Sequence, residues 1–523
     1  MGGGYDEVLP GVAQLLHEQA GSAEIKVTVV PASYSTNPYA ISASERAQNL
    51  HDAERRRAAI ESRLQAAAPV GAHFRVALAP VFVREDAEAK ANLRYFGPNV
   101  AAVFLLGGDQ AVAMHVLRGT PVEGALQDLY GRGGVIAGTS AGAGMQSRAM
   151  LAGYSAAHNM HNSLHAGAAA VWNRRESRGL AFGARGAIFD QHFFQRGRMG
   201  RLLEAILRPG APAIGVGIDA YTGLRVQGGG LLDKGQLDGV FGLYSVAVLD
   251  AESHGAAATA GYGGPHATLS VRNVLVHLLA PGSYNYDLQA RQHSLSPRPP
   301  MAARRFTGLA LPQAAGPLFV CGGLSDQGHR AADGAWQKFL ALGAQGEGVA
   351  VIPNAEGDVD PAQLADACEA WRGGSPLWLE GAAAAMAGAY YCAGRAPQTS
   401  CDPEDLPALE AAEIAAKRAL LQGHVRLEVG LGLLGVNIEP HMVEDGGWNR
   451  LFTLAYEHRD REALAVGANT TLLVSHNGAE VLGEESVIAL DLRRATLDLG
   501  LNGAFVVANG LLDVYAPGEH LST

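Results

Sequence analysis

Ser140, at the centre of Gly138-Thr139-Ser140-Ala141-Gly142, is the residue in this sequence best placed to act as a nucleophile. The run Gly134-Val135-Ile136-Ala137 precedes it, so a strand must turn sharply into a helix with the serine at the bend. Small residues on both sides permit a strained backbone and keep the hydroxyl clear. They also let the amide of Ala141 point at a developing oxyanion. A plain Gly/Ala-rich turn with a buried serine would use the same residues.

Downstream, Asp190-Gln191-His192 offers a general base in His192, although a lone histidine is often structural. Arg196, Arg198 and Arg201 follow closely, after the short strand Ala187-Ile188-Phe189. Three guanidiniums at a strand end suit a pocket that reads carboxylates through bidentate bonds. As a mere helix start they would oppose the helix dipole.

The elements that must position these groups read as α/β. A helix around Val8 to Gln19 is followed by the apolar strand Ile25 to Val30 and then by a charged helix from about Ser42 to Ala67. The Arg55-Arg56-Arg57 run of that helix reads as a solvated face. A second apolar strand, Val100 to Leu106, ends in Gly107-Gly108-Asp109-Gln110 and a helix to about Arg118. Ligands in open parallel sheets sit beyond the carboxyl ends of strands, so this loop and the Ser140 turn can share one pocket. There an amide of Gly107 or Gly108 would join that of Ala141, and Gln110 would touch substrate.

A length of 523 residues allows two or three domains, and 48% hydrophobic with 17% charged residues excludes a disordered chain. A net charge of −11 argues against a nucleic-acid partner. No apolar run approaches the roughly 18 residues of a membrane span, and the N-terminus carries no leader pattern, so a cytoplasmic location is expected. Cys321, Cys368, Cys392 and Cys401 lack metal-ligand spacing and read as reduced thiols.

Taken together, Gly107 to Gln110, Gly138 to Ala143, Asp190 to Arg201 and Gly215-Val216-Gly217-Ile218-Asp219 resemble the cyanophycinases of the peptidase E-like serine peptidase group, over about residues 100 to 285. The resemblance implies an α/β fold of the class I glutamine amidotransferase type, an open and mostly parallel sheet flanked by helices. It implies Ser140 as nucleophile and His192 as its base, with Gly108 and Ala141 as oxyanion donors. Gln110, Asp190, Gln191, Arg196, Arg198 and Arg201 would line the substrate pocket. The implied partner is cyanophycin or a β-aspartyl peptide, cut to β-Asp-Arg without metal or cofactor.

Two departures stand out. The family's acidic residue shortly after the serine is absent from Leu151 to His158, which leaves Glu176 as the nearest candidate to orient His192; an acid usual after Gly-Ile-Asp is replaced by Ala220. His158, His161 and His165 have spacing that would suit one helical face, but without an acidic or cysteine ligand nearby they read as a polar loop at the pocket mouth.

A proline-rich linker, 293–315, then separates a first domain, 1–292, from a second, 316–523. Pro317 to Gly323 resembles a strand with a glycine turn, Asn437 to His441 echoes Ile188 to His192, and Tyr515 to Gly518 echoes Leu279 to Gly282. The expectation is a tandem duplication whose second copy has lost about 73 residues, the nucleophile elbow among them. By that alignment Arg196 faces Asp445, Arg198 faces Gly447 and Arg201 faces Arg450. The fused half would then serve as a permanent dimer partner, beside possible homodimers. The first copy opens at its glycine turn without the strand found in the second, through a start-site error or a real loss.

Overall fold

The computed structural model describes residues 1–182, 185–228, 235–251, 260–298, 305–323, 334–344, 350–352, 361–393, 420–443 and 446–522. Its first unit is a four-stranded parallel sheet in the order His73–Leu78, Glu24–Val30, Val100–Leu105, Val135–Gly138. Runs such as Ile25, Val27 and Val29 are apolar and buried because helices cover both faces of such a sheet. Leu9–Ala20 and Ala43–Ala66 cover one face, burying Leu9, Leu16, Ile60 and Leu64, while Gln110–Leu117 and Pro121–Gly131 cover the other. Ser42 Oγ caps the long helix by accepting from Glu45 N at 3.0 Å. On its solvated side Arg57 pairs with Glu54 and Glu61, so this run serves the helix surface.

The largest sheet corrects the expectation of a mostly parallel architecture. It has ten strands, eight of them in the order Asn437–Pro440, Ala463–Val466, Val487–Asp491, Phe505–Tyr515, Thr268–Leu279, Val246–Asp250, Ile214–Ile218, Ala187–Gln191. Only the outermost pair at each end is parallel; the rest are antiparallel. The protein is therefore a mixed α/β molecule of several sheets, with helices flanking strands. Read from either end, the eight strands follow the same sequence of parallel and antiparallel steps, and the centre is the pairing of Thr268–Leu279 with Phe505–Tyr515. There Asn273 (φ 62°) and Asn509 (φ 67°) sit in matching left-handed positions. Asn273 N donates to Asp513 Oδ1 at 2.7 Å and Asn509 N to His277 Nδ1 at 3.2 Å.

The second half builds a six-stranded sheet in the order Ala350–Ile352, Leu377–Glu380, Leu318–Cys321, Thr470–Ser475, Gly478–Gly483, His520–Leu521. Among the described residues three of these strands, Ala350–Ile352, Leu377–Glu380 and Leu318–Cys321, run parallel, against four in the first half's sheet. A turn with similar backbone angles follows one of these strands. After Leu377–Glu380 the chain turns at Gly381 with φ 56° and ψ −121°, against φ 52° and ψ −121° at Ser140. The two turns share their backbone angles, and Gly381 carries no hydroxyl. Of the linker, 299–304 lies outside the described residues; beyond it Phe306, Leu309 and Ala315 are buried in the second half's core. No helix among the described residues is long and apolar enough to cross a membrane.

Candidate active site

Ser140 sits between the strand Val135–Gly138 and the short helix Ala141–Gly144, in a backbone region that a residue with a side chain rarely adopts. Close packing enforces the small neighbours: a Cβ on Gly142 would lie 2.1 Å from Leu105 O. As the first helical residue, Ala141 has an amide with no acceptor inside the helix. Gly107 lies directly against the serine, where a Cβ would fall 2.9 Å from Ser140 Cβ. Thus the Gly107-Gly108 loop and the elbow do share one site. Ser33 holds that loop: its Oγ donates to Gly107 O at 2.6 Å and its carbonyl accepts from Asp109 N at 2.9 Å. Nothing in the motif spacing singled out Ser33, although its place just after Val30-Pro31 is where a sheet presents ligand-binding loops.

His192 Nε2 lies 2.9 Å from Ser140 Oγ, and the ring is 3% exposed. Gln191 Oε1 is 3.4 Å from the same hydroxyl, at the outer limit of a hydrogen bond. The residue bearing the imidazole has a positive φ of 45°. Its backbone is fixed by His192 N donating to Gly2 O at 2.8 Å, while Ser140 N donates to Met1 O at 3.0 Å. Gly3 forms a wall against the ring, since a Cβ there would fall 2.0 Å from His192 Cε1. The first residues of the sequence thus bridge serine and histidine, a role for which the Gly2-Gly3-Gly4 run was the sole sequence signal.

The arginines divide into different tasks. Arg201 is 2% exposed and makes a two-pronged pair with Asp190, Nε to Oδ2 at 2.8 Å and Nη2 to Oδ1 at 2.6 Å. Both are therefore committed to each other, a correction to their expected place in a substrate pocket. Burial alone would raise the Asp190 carboxyl, but the Arg201 charge and hydrogen bonds outweigh it and hold it below the usual carboxylate range. Arg198 Nη1 donates to Gln191 O at 2.7 Å and lies 3.6 Å from Asp190. Burial, with the Arg201 charge adding to it, pulls the Arg198 guanidinium down to about 9. Arg196 is half-buried. The Asp190 carboxylate thus faces two guanidiniums, those of Arg201 and Arg198.

Two other expectations are corrected. Gln110 is 8% exposed and commits its Nε2 to Leu151 O at 3.0 Å. Glu176 is exposed and makes no hydrogen bond or ion pair with a described residue, so the structure does not bring it to His192. His158 Nδ1 contacts Ser155 Oγ at 2.7 Å, and His165 Nε2 contacts Glu485 of the second half at 2.8 Å. In the second half, Arg450 pairs with Glu439 and His441 (φ 52°) packs against Gly323, as Arg201 does with Asp190 and His192 with Gly3. Gly447 starts its helix as Arg198 does, while Asp445 lies outside the described residues.

No family model matches the sequence. The chain is 32% identical over 202 residues to the cyanophycinase of Nostoc sp., which is 38% of this chain and 59% of that protein. It is 30% identical over 191 residues to the cyanophycinase of Geminocystis herdmanii, 35% of this chain and 62% of the relative. The chain therefore spans about three fifths of the length of the curated relatives it matches. Among solved structures, a peptidase from an acI-B1 Actinobacterium is similar at 19% identity and a TM-score of 0.34, over 47% of this chain and 88% of that one. Over rather more than a third of its length the chain is thus similar to curated cyanophycinases.

Proposed function

We propose that the protein is a serine peptidase that degrades cyanophycin to β-Asp-Arg. The observation that carries this reading is the 2.9 Å contact between His192 Nε2 and the hydroxyl of a serine on a strained elbow. Ser140 Oγ attacks the aspartyl carbonyl and its proton passes to His192 Nε2. The amides of Gly108 and Ala141 hold the oxyanion. His192 returns the proton to the leaving amine, and water, activated by the same imidazole, releases the acyl-enzyme. Arg198, whose guanidinium bonds the Gln191 carbonyl beside His192, favours a substrate that carries carboxylates over an ordinary peptide.

Release of β-Asp-Arg from purified cyanophycin is the test, with the chain compared against Ser140→Ala. Activity in the first and a loss of at least about 10³-fold in the second is expected. Equal release from both refutes the serine mechanism, and no release from either refutes the peptidase reading.

We further propose that the chain arose by tandem duplication and works as an intrachain pseudo-dimer. Supporting this are the matching strand order about the central pairing and the recurrence of left-handed residues at Ser140 and Gly381, His192 and His441, and Asn273 and Asn509. On this reading one half keeps the nucleophile, and the other, with Gly381 in its place, is retained as the partner surface.

A further inference from the structure

Three aromatic rings from separate elements meet at the surface of the first half. Tyr39 lies in the loop after Glu24–Val30, His115 in the helix Gln110–Leu117, and Trp172 at the end of the strand Ala169–Trp172. Tyr39 Oη is 3.3 Å from His115 Nδ1, and the His115 ring stands 5.3 Å from that of Trp172 at 74°. Core packing does not account for the contact, since Tyr39 is 58% exposed and the other two are only half-buried. The indole N–H of Trp172 donates to no described residue.

The charge beside the rings is basic, in a chain whose net charge is −11. Arg118 caps the helix that carries His115 and donates its Nη1 to Arg175 O at 3.4 Å, while Arg174 and Arg175 follow closely on Trp172. None of these three pairs with a carboxylate among the described residues, and Glu176 of the same turn pairs with none of them. Arg84, by contrast, is committed to Glu88 and to the carbonyls of His115 and Arg118. Two elements connect this patch to the catalytic pair. The helix Gln110–Leu117 starts directly after the Gly107-Gly108 loop at Ser140, so His115 lies about 8 Å along it. The strand Ala169–Trp172 pairs with Met150–Tyr154, Trp172 opposite Met150 and Ala169 opposite Tyr154. At that far end the Tyr154 ring is 4.9 Å from the Arg201 guanidinium. The ribbon spans about 13 Å, which an extended polymer covers in about four residues.

We propose that Tyr39, His115 and Trp172, with Arg118, Arg174 and Arg175, form a second binding subsite for an arginyl unit of the uncut polymer. The inference rests on the reading of the chain as a cyanophycin peptidase. The unit's guanidinium is flat and weakly hydrated, so it stacks on exposed aromatic faces. Its free carboxylate pairs with the arginines that have no carboxylate of their own. Each contact is weak at an exposed surface. Its effect comes from the tether: once the chain end is held at Ser140, a contact a few residues away is intramolecular and adds to affinity without a second encounter. Long chains are therefore retained, and the released β-Asp-Arg, too short to reach both places, departs. A plain polyanion would use the arginines and leave the rings idle.

The test uses two paired variants, Tyr39→Ala with Trp172→Ala and Arg118→Ser with Arg175→Ser. Release of β-Asp-Arg gives kcat and KM on cyanophycin and on a substrate of two β-Asp-Arg repeats, too short to span the ribbon. Each paired variant is expected to raise KM for cyanophycin by about tenfold or more, with kcat and the KM of the short substrate within about twofold. Tyr39→Ala alone, at an exposed position, should raise KM for cyanophycin by about threefold and keeps the test open if Trp172→Ala impairs folding. The same variants in the Ser140→Ala chain are assayed for binding to intact cyanophycin and to poly-aspartate without arginine. Binding to cyanophycin should weaken by about tenfold in each, and poly-aspartate should bind at least about tenfold more weakly than cyanophycin and be indifferent to the aromatic pair. Unchanged KM and binding for cyanophycin overturn the proposal. So does an equal rise in KM for the short substrate, which would place the rings in the catalytic pocket, and so does poly-aspartate binding as tightly as cyanophycin. If no chain releases β-Asp-Arg, the peptidase reading fails, and the binding measurements on the Ser140→Ala chain still decide the subsite.

Discussion

Replacing Asp190 by Asn separates two accounts of the arginine cluster. In the first, Arg201 is a substrate ligand and Asp190 lines the pocket; in the second, the two are a buried pair that holds the strand Ala187–Gln191 to the helix Met199–Ile206. Each partner is 2% exposed and the two bonds are 2.8 and 2.6 Å. Removing one partner of such a pair leaves an uncompensated buried charge, at a cost of about 3–5 kcal/mol. Part of that charge is already crowded, because Arg198 lies 3.6 Å from the same carboxylate and would lose its counter-ion too. For a cooperative unit of 150–250 residues the cost corresponds to a fall in Tm of about 6–20 °C. Differential scanning calorimetry of Asp190→Asn reads this directly. The double variant Asp190→Leu with Arg201→Met, which removes both charges and keeps apolar volume, should recover most of the loss. A fall in Tm below about 2 °C in Asp190→Asn, accompanied by a raised KM, would refute the structural pair and restore Arg201 to the substrate.

Other outcomes follow from the same geometry. Gly3→Ala would push a methyl into the His192 ring, so cyanophycin hydrolysis should fall by about 10²-fold or more with kcat as the affected parameter, while Tm changes much less than in Asp190→Asn. Glu176→Gln should leave kcat and KM within about twofold, since the side chain is exposed and pairs with no described residue; a large loss of kcat would return Glu176 to His192. Burial pushes the Asp219 carboxyl from 3.8 up to about 7, so the folded chain holds a proton there that the unfolded chain releases. The stability this contributes is complete below pH 3.8 and is lost as pH rises through about 7. Asp219→Asn, which cannot ionise, should therefore gain stability relative to the parent between pH 5 and pH 8 in urea titrations; an unchanged difference across that range would remove the carboxyl from the pH response.

What the sequence disclosed follows from how local each signal is. The elbow was legible because its turn demands small residues at fixed offsets, and the helix Ala43–Ala66 because cap and charge spacing lie within its own span. The base His192 was legible as a residue, while its wall was not, since Gly3 meets the ring only through the folded chain. Asp190 and Arg201 carried the right chemistry for a pocket, and only the turn between strand and helix shows that they neutralise each other. Glu176 was reached by elimination along the chain, and distance along a chain says little about proximity. The turn at Gly381 escaped because a glycine carries no serine signature while easily adopting the same backbone angles as Ser140. Least legible was the pairing of Thr268–Leu279 with Phe505–Tyr515, whose partners lie more than 200 residues apart.

That pairing has a consequence for mass action. Two separate subunits joined along such an edge would part on dilution, and their stability would depend on protein concentration. Here both edges belong to one chain, so the encounter is intramolecular and is governed by an effective concentration that tethering sets, on the order of millimolar for a short flexible connection. Dilution leaves the joined sheet intact.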